Sequence, residues 1–400
     1  MAKAMMGSGS DRVSSSAITQ IKGKIKAEFF QYLFYQINMM LVLCSAGPNR
    51  RQRCRENRYQ FIAIDGSNLP VPVNFDEPDY IVRRKDSNDP IHAGMHLNLA
   101  LDLATGLFLD FVFQTQKGKD DRKAAKIIIE HYHRYYQQEG VTPVFIMDRG
   151  YFSFSLAEFC CKHGYQYIIR SKYREFTSLF PELKGKEGIS DVRKRLSIHQ
   201  RASDRNDPNR KYISRKAMNE ICPGAEEAPF TVRSVSFETE PGKYVCLLTS
   251  FIEQNMTPAD YSDGYHGRWG TETKIGQLKY GEHVLHIHSK NAEWIKQEVW
   301  AGLLGMNIST AVSLLCAPQL GGLEAADEKE AQEKPKYQIN LTNVICSVSV
   351  YLQGLWGRST RSVSEKALIE EICREKSCIR ENCSFIRKLH PKRLIWFTWR

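Results

Sequence analysis

"YHGRWGTETKIGQLK", residues 265–279, sets a phenol, a guanidinium, a carboxylate and an ammonium at offsets of 0, 3, 7 and 14: Tyr265, Arg268, Glu272 and Lys279. At about 100° per helical residue these fall within one arc of about 60°, so a helix here would present all four on one side. A carboxylate flanked by cations suits a phosphodiester. The acid holds a metal while the guanidinium and the ammonium grip phosphates. A solvated helix face collects the same residue types, and Gly264, Gly267, Gly270 and Gly276 each weaken a helix by up to about 1 kcal/mol. Spacing alone leaves both readings open.

Two further acids stand where α/β proteins gather their chemistry. "FIAI" runs into Asp65-Gly66-Ser67, and "VFIM" into Asp148-Arg149-Gly150-Tyr151, each placing an acid at the C-terminal end of an apolar strand. Either Asp alone would serve equally well to open a turn. Two such strand ends in one domain favour a site. If Asp65, Asp148 and Glu272 converge, two of their charges about 4 Å apart repel by roughly 4 kcal/mol at an effective dielectric of 20. Hard divalent cations with oxygen ligands relieve that repulsion. A pair of Mg²⁺ ions about 4 Å apart would activate a water or a 3′-hydroxyl and steady the leaving oxygen.

The elements that must hold these residues read as a mixed α/β sheet. "YQFIAIDGS" is a strand, "HLNLALDL" and "FLDFVFQT" form a hairpin around "ATG", and "DRKAAKIIIEHYHRYYQQEG" is a helix closed by Gly140. "VTPVFIMDRGY" and "YQYIIRSK" are strands with the helix "SLAEFCCKHG" between them, so crossovers are required. From residue 173 to 245 the pattern turns basic and strand-like, which reads as an insertion, and the basic run 193–216 is a further candidate for contact with phosphate. Serine caps and helical spacing occupy the amino end, after the leader "MAKAMMGSGSDR".

The bulk numbers agree with an intracellular partner of nucleic acid. The 400 residues carry 56 Lys and Arg against 45 Asp and Glu, a net charge of +11, which favours a polyanion. Eleven cysteines, an odd number at irregular spacing, read as reduced thiols. Cys373, Cys378, Cys383 and His390 resemble a zinc set only loosely, and His283, His286 and His288 are better read as surface or strand residues. The apolar runs 29–44 and 300–318 are interrupted by polar residues, so core helices are expected and not membrane spans.

Asp65-Gly66-Ser67, Asp148-Arg149-Gly150-Tyr151 and the Y-x2-R-x3-E-x6-K set together resemble the DDE transposases of bacterial insertion sequences, in insertion-sequence family four with its Tyr-Arg-Glu-Lys motif. The resemblance covers residues 14–310 and continues more weakly through 380–388. It implies a ribonuclease-H-like core interrupted by a β-rich insertion, between helical N- and C-terminal segments. The acids are 83 and 124 residues apart, and the second gap is long enough for that insertion. Expected regions are 1–58, a helical segment; 59–172 and 246–320, the two parts of the core; 173–245, the insertion; and 321–400, a linker and C-terminal region.

By the same resemblance Asp65, Asp148 and Glu272 are the catalytic, metal-binding triad, holding two Mg²⁺ for which Mn²⁺ substitutes. Tyr265, Arg268, Trp269 and Lys279 contact DNA. The implied partners are double-stranded DNA, both element ends and target, and a second copy of the chain, in the cytoplasm at the nucleoid. Longer members carry an end-recognition domain ahead of the first helix, whereas only residues 1–13 precede it here. That departure keeps open a truncated or domesticated copy that binds DNA without cutting it. A metal-dependent nuclease without strand transfer shares the same site.

Overall fold

Runs of buried β-branched and aromatic residues build the centre of the molecule. The computed structural model describes residues 14–45, 59–84, 86, 90–183, 190–201, 207, 209–251, 257–280, 287, 289–324, 337–355 and 364–378. The first helices are α1 (Ser15–Lys24), capped by the Ser14 hydroxyl accepting from Ala17 N, and α2 (Ala27–Ser45). Four strands follow: β1 (Tyr59–Pro70), β2 (Ile81–Arg83), β3 (Pro90–Asp102) and β4 (Phe108–Thr115). β3 and β4 form the expected antiparallel hairpin, whose turn is made by Gly106 at φ 69°.

Next come α3 (Asp121–Tyr135), β5 (Thr142–Met147), α4 (Phe154–Lys162) and β6 (Gln166–Arg170). β1, β5 and β6 are parallel neighbours, and α3 and α4 are the crossovers such pairing demands. "PVFIM" of β5 is buried throughout, as a strand covered on both faces must be. α3 turns Ala124, Ala125, Ile128, Ile129 and Tyr132 inward, and Asp120 caps it by accepting from Arg122 N and Lys123 N. The helix ends at Tyr135, short of Gly140. Tyr136 leaves helical geometry at φ −125° and buries its ring, its hydroxyl donating to Leu109 O at 2.8 Å.

The β-rich segment continues the same sheet. After α5 (Tyr173–Leu179) come β7 (Ser190–His199), β8 (Arg210–Tyr212), α6 (Arg215–Ile221), β9 (Glu227–Glu240) and β10 (Lys243–Thr249). β10 lies antiparallel to β6 with Leu247 opposite Arg170, giving the order β2-β3-β1-β5-β6-β10-β9-β7-β8, with β4 on β3. Gly242, at φ 76°, makes the tight β9–β10 turn after Pro241. In the basic run, Arg201 and Arg210 are paired with Glu226 and Glu227, while Arg193 and Arg195 take exposed positions on β7.

Three more helices close the core: α7 (Pro258–Gly267), α8 (Trp269–Tyr280) and α9 (Ala292–Glu324). α9 packs on α2, and Trp300 meets Phe111 at 3.7 Å and Phe34 at 5.1 Å between ring centroids. By length and composition Ala292–Pro318 could cross a membrane, but half of its most apolar window is buried in the fold. Asn307 explains the polar interruption: its Nδ2 donates to Asn38 Oδ1 and Phe108 O, both at 2.7 Å. β11 (Tyr337–Ile339), α10 (Leu341–Leu355), α11 (Glu365–Arg374) and β12 (Lys376–Cys378) gather over Cys316 of α9. His283, His286, His288, Cys383, His390 and the segment 380–388 lie outside the described residues. The eight described cysteines are free thiols.

Candidate active site

Strand register brings the first two acids together. Ile64 of β1 pairs with Met147 of β5, the last pair of that ladder, so Asp65 and Asp148 emerge side by side where two strands about 4.8 Å apart part company. Asp148 follows the end of β5 as expected, but Asp65 does not end its strand, because β1 runs on to Pro70 along β3. The third acid arrives on α8, which packs on β1. The single helix expected through 265–279 is divided at Arg268, where Arg268 N donates to Tyr265 O and Thr271 N to Arg268 O in tight i to i+3 bonds. The glycines on either side weaken the helix there, and burial of the Arg268 side chain against Asp65 fixes the break.

All four residues of the set still face one place. Arg268 Nη1 donates to Asp65 Oδ2 at 2.8 Å, and its Nη2 lies 3.6 Å from Glu272 Oε1. The Tyr265 hydroxyl donates to Asp148 Oδ1 at 3.3 Å, and the guanidinium sits 5.4 Å from the Tyr265 ring. Lys279 Nζ donates to Ser67 Oγ at 2.6 Å and to Asn68 O at 2.5 Å, on the strand just past Asp65. Trp269 opens α8, and its side chain lies outside the description.

The electrostatics follow from this crowding. Burial lifts the Asp65 carboxyl above its ordinary range; Arg268 and the Gly66 N–H pull it down, and the charges of Asp148 and Glu272 push it up again. Asp65 therefore feels the charge of both other acids. Burial alone would weaken the charge on Arg268, but Tyr265, Asp65 and Asp148 outweigh it and hold the guanidinium firmly protonated. Its side chain is only 5% exposed, so this is a desolvated ion pair whose worth depends on both partners staying in place.

Carboxylate oxygens are the donors a hard divalent cation takes, and mutual repulsion at Asp65 is what such a cation relieves. By donor type alone, Asp65, Asp148 and Glu272 suit such a cation. As arranged here, no group of three or more His, Cys, Asp or Glu among the described residues could hold a metal ion; the Arg268 guanidinium reaches both Asp65 and Glu272 and supplies positive charge there.

Arg170 was not singled out by the sequence. It ends β6 beside Asp148, with Nη1 4.0 Å from Asp148 Oδ1 and a side chain about one-third exposed. The signal was available: Arg170 occupies the same strand-end position, one strand further along, that marked the acids.

Lys279 carries a pH prediction. Burial pulls its ammonium down to about 8. Below that value it is charged and can hold a phosphate; above it the charge is lost. DNA affinity is therefore expected to weaken by up to about tenfold between pH 7 and pH 9, the size of one charge-assisted hydrogen bond. Lys279→Arg, charged throughout, flattens that profile in a fluorescence-anisotropy titration. A wild-type profile already flat across this range would contradict the assignment.

The chain matches the family model described as "Transposase DDE domain" over residues 56–308. It is 23% identical over 265 residues to the Transposase InsG for insertion sequence element IS4 of Escherichia coli (strain K12), an alignment covering 65% of this chain and 54% of that protein. The chain thus spans about half the length of this curated relative. A solved structure of piggyBac transposase, in a synaptic complex with hairpin DNA, is similar at 11% identity and a TM-score of 0.43, covering 78% of this chain and 56% of that one.

Proposed function

The chain belongs to the family of transposase DDE domains, and from that premise we propose that it cuts DNA at the ends of an insertion sequence and joins the freed 3′-hydroxyls to target DNA. Membership agrees with the resemblance read from the Tyr-Arg-Glu-Lys set. One observation carries the proposal: Asp65 and Asp148 sit side by side where the parallel β1–β5 pairing ends, while Arg268 reaches from Asp65 to Glu272. The strand order β4-β3-β1-β5-β6 supports reading the core as ribonuclease-H-like, with the β-rich segment inserted before Glu272.

In this reading Asp65, Asp148 and Glu272 would hold two Mg²⁺, or Mn²⁺ in their place. When bound, such cations would supply Lewis acidity to the scissile phosphate and to the attacking water or 3′-hydroxyl. Arg268, Lys279 and Arg170 grip phosphate oxygens on either side of the broken bond, and Tyr265 steadies Asp148 through its hydroxyl. Hydrolysis leaves a 3′-hydroxyl on the element. That oxygen then attacks a target phosphate, forming one P–O bond as another breaks, so no covalent link to the protein is needed. The net charge of +11 steers the chain to DNA. A homodimer joining two element ends, acting in the cytoplasm at the nucleoid, completes the proposal.

Linear DNA bearing the inverted repeats that flank the gene, incubated with the protein and Mg²⁺, tests this. Nicks at the repeat boundary and joined products in a plasmid target are expected, both lost in EDTA. DNA retained in a gel shift without any nick would instead favour the non-catalytic copy.

A further inference from the structure

Beneath the acids lies a polar cluster that this reaction scheme leaves unused. His96, on β3, is 2% exposed. Its Nε2 lies 2.6 Å from Asp121 Oδ1 and its Nδ1 2.8 Å from Asn68 Oδ1, so the ring is gripped at both nitrogens. Asn98, two residues along and therefore on the same face of the strand, donates to that Asp121 oxygen at 3.3 Å. The Asn98 Oδ1 in turn accepts from the Tyr151 hydroxyl at 2.5 Å. Asp121 opens α3 and is partly exposed and Asn68 is exposed, while His96, Asn98 and Tyr151 are buried.

This cluster touches each piece of the site from behind. A Cβ placed on Gly66 would meet the His96 ring at 3.2 Å and Asp121 Oδ1 at 3.3 Å, so the pair bears directly on the backbone after Asp65. Tyr151 closes the turn that begins with Asp148, its N–H donating to Asp148 O at 3.1 Å. Asn68, held by His96, offers its carbonyl to Lys279. His96 thus reaches β1 directly through Asn68, and the Asp148 turn through Asp121, Asn98 and Tyr151.

We propose that His96 and Asp121 are a positioning pair, which fixes Asp65 and Asp148 at the spacing where they share a divalent cation. The inference rests on the reading of those acids as cation ligands given above. The pair touches neither DNA nor cation itself. It acts by stopping β1 at Asp65 and the turn at Asp148 from relaxing apart under the repulsion of the two acids.

The test is Mn²⁺ binding followed by electron paramagnetic resonance, beside single-turnover nicking, on the full chain. Asp121→Asn keeps the side chain's shape and sits at a partly exposed position, so it carries the test even if His96→Gln fails to fold. It is expected to weaken Mn²⁺ affinity roughly tenfold, as loss of an outer-shell partner does, and to lower kcat with the KM for DNA unchanged. The double variant should be no worse than the worse single one, because the two act as a unit. Wild-type Mn²⁺ affinity in Asp121→Asn, or losses that simply add, would overturn the pairing. Asp65→Asn separates the two levels. If it binds Mn²⁺ as the wild type does, the reading of the acids falls and this inference with it; if it loses binding while Asp121→Asn does not, only the positioning role falls.

Discussion

Glu272→Gln is expected to lower Mg²⁺-dependent nicking by several kcal/mol of transition-state stabilisation, on the order of a hundred- to a thousandfold, while DNA binding persists. The amide keeps the length and shape of the side chain, so the first turn of α8 is undisturbed. What disappears is an anionic oxygen beside Arg268, within electrostatic reach of Asp65. Removing a negative charge near a phosphate path does not weaken the hold on DNA; if anything it tightens it. A nicking assay read against a gel shift on the same fragment measures both arms. Undiminished nicking by Glu272→Gln would remove Glu272 from the site.

Arg268→Ala is expected to have the largest effect on stability. Breaking one side of a desolvated ion pair typically destabilises by about 3–5 kcal/mol, because the remaining charge is left buried. Here Asp65 is the residue left behind, with its side chain 17% exposed and already lifted by burial and by its acidic neighbours. In EDTA the variant should therefore unfold well below the wild type in urea. Added Mg²⁺ should restore part of the difference, since a cation between the carboxylates replaces the lost guanidinium. Equal unfolding midpoints in EDTA would show that Arg268 does not neutralise the acids.

The parts of the site carried by local pattern were legible in the sequence. "FIAI" and "VFIM" announced themselves because strands buried on both faces are apolar without interruption, and each run ended on an acid. The set Tyr265, Arg268, Glu272 and Lys279 was legible from spacing. Its division into two helices was not, because the break is fixed by a contact with Asp65, 203 residues away. Arg170 escaped notice for a similar reason: only the β5–β6 register sets it beside Asp148. His96 looked like one more residue in an alternating strand, and its partner Asp121 like a helix-opening acid. Nothing within "GMHLNLAL" says that the two meet behind Gly66. The end of α3 at Tyr135 is likewise a tertiary decision, taken by the buried Tyr136 ring.

Everything proposed for this chain turns on three carboxylates, distant in sequence, jointly taking divalent cations. Anomalous scattering from Mn²⁺-soaked crystals of the protein with an end-bearing DNA duplex tests it most directly. A peak is expected at roughly 2.0–2.3 Å from carboxylate oxygens of both Asp65 and Asp148, with Glu272 turned towards it and Arg268 withdrawn onto a phosphate. No peak there at saturating Mn²⁺, with Arg268 still seated between Asp65 and Glu272, would contradict it.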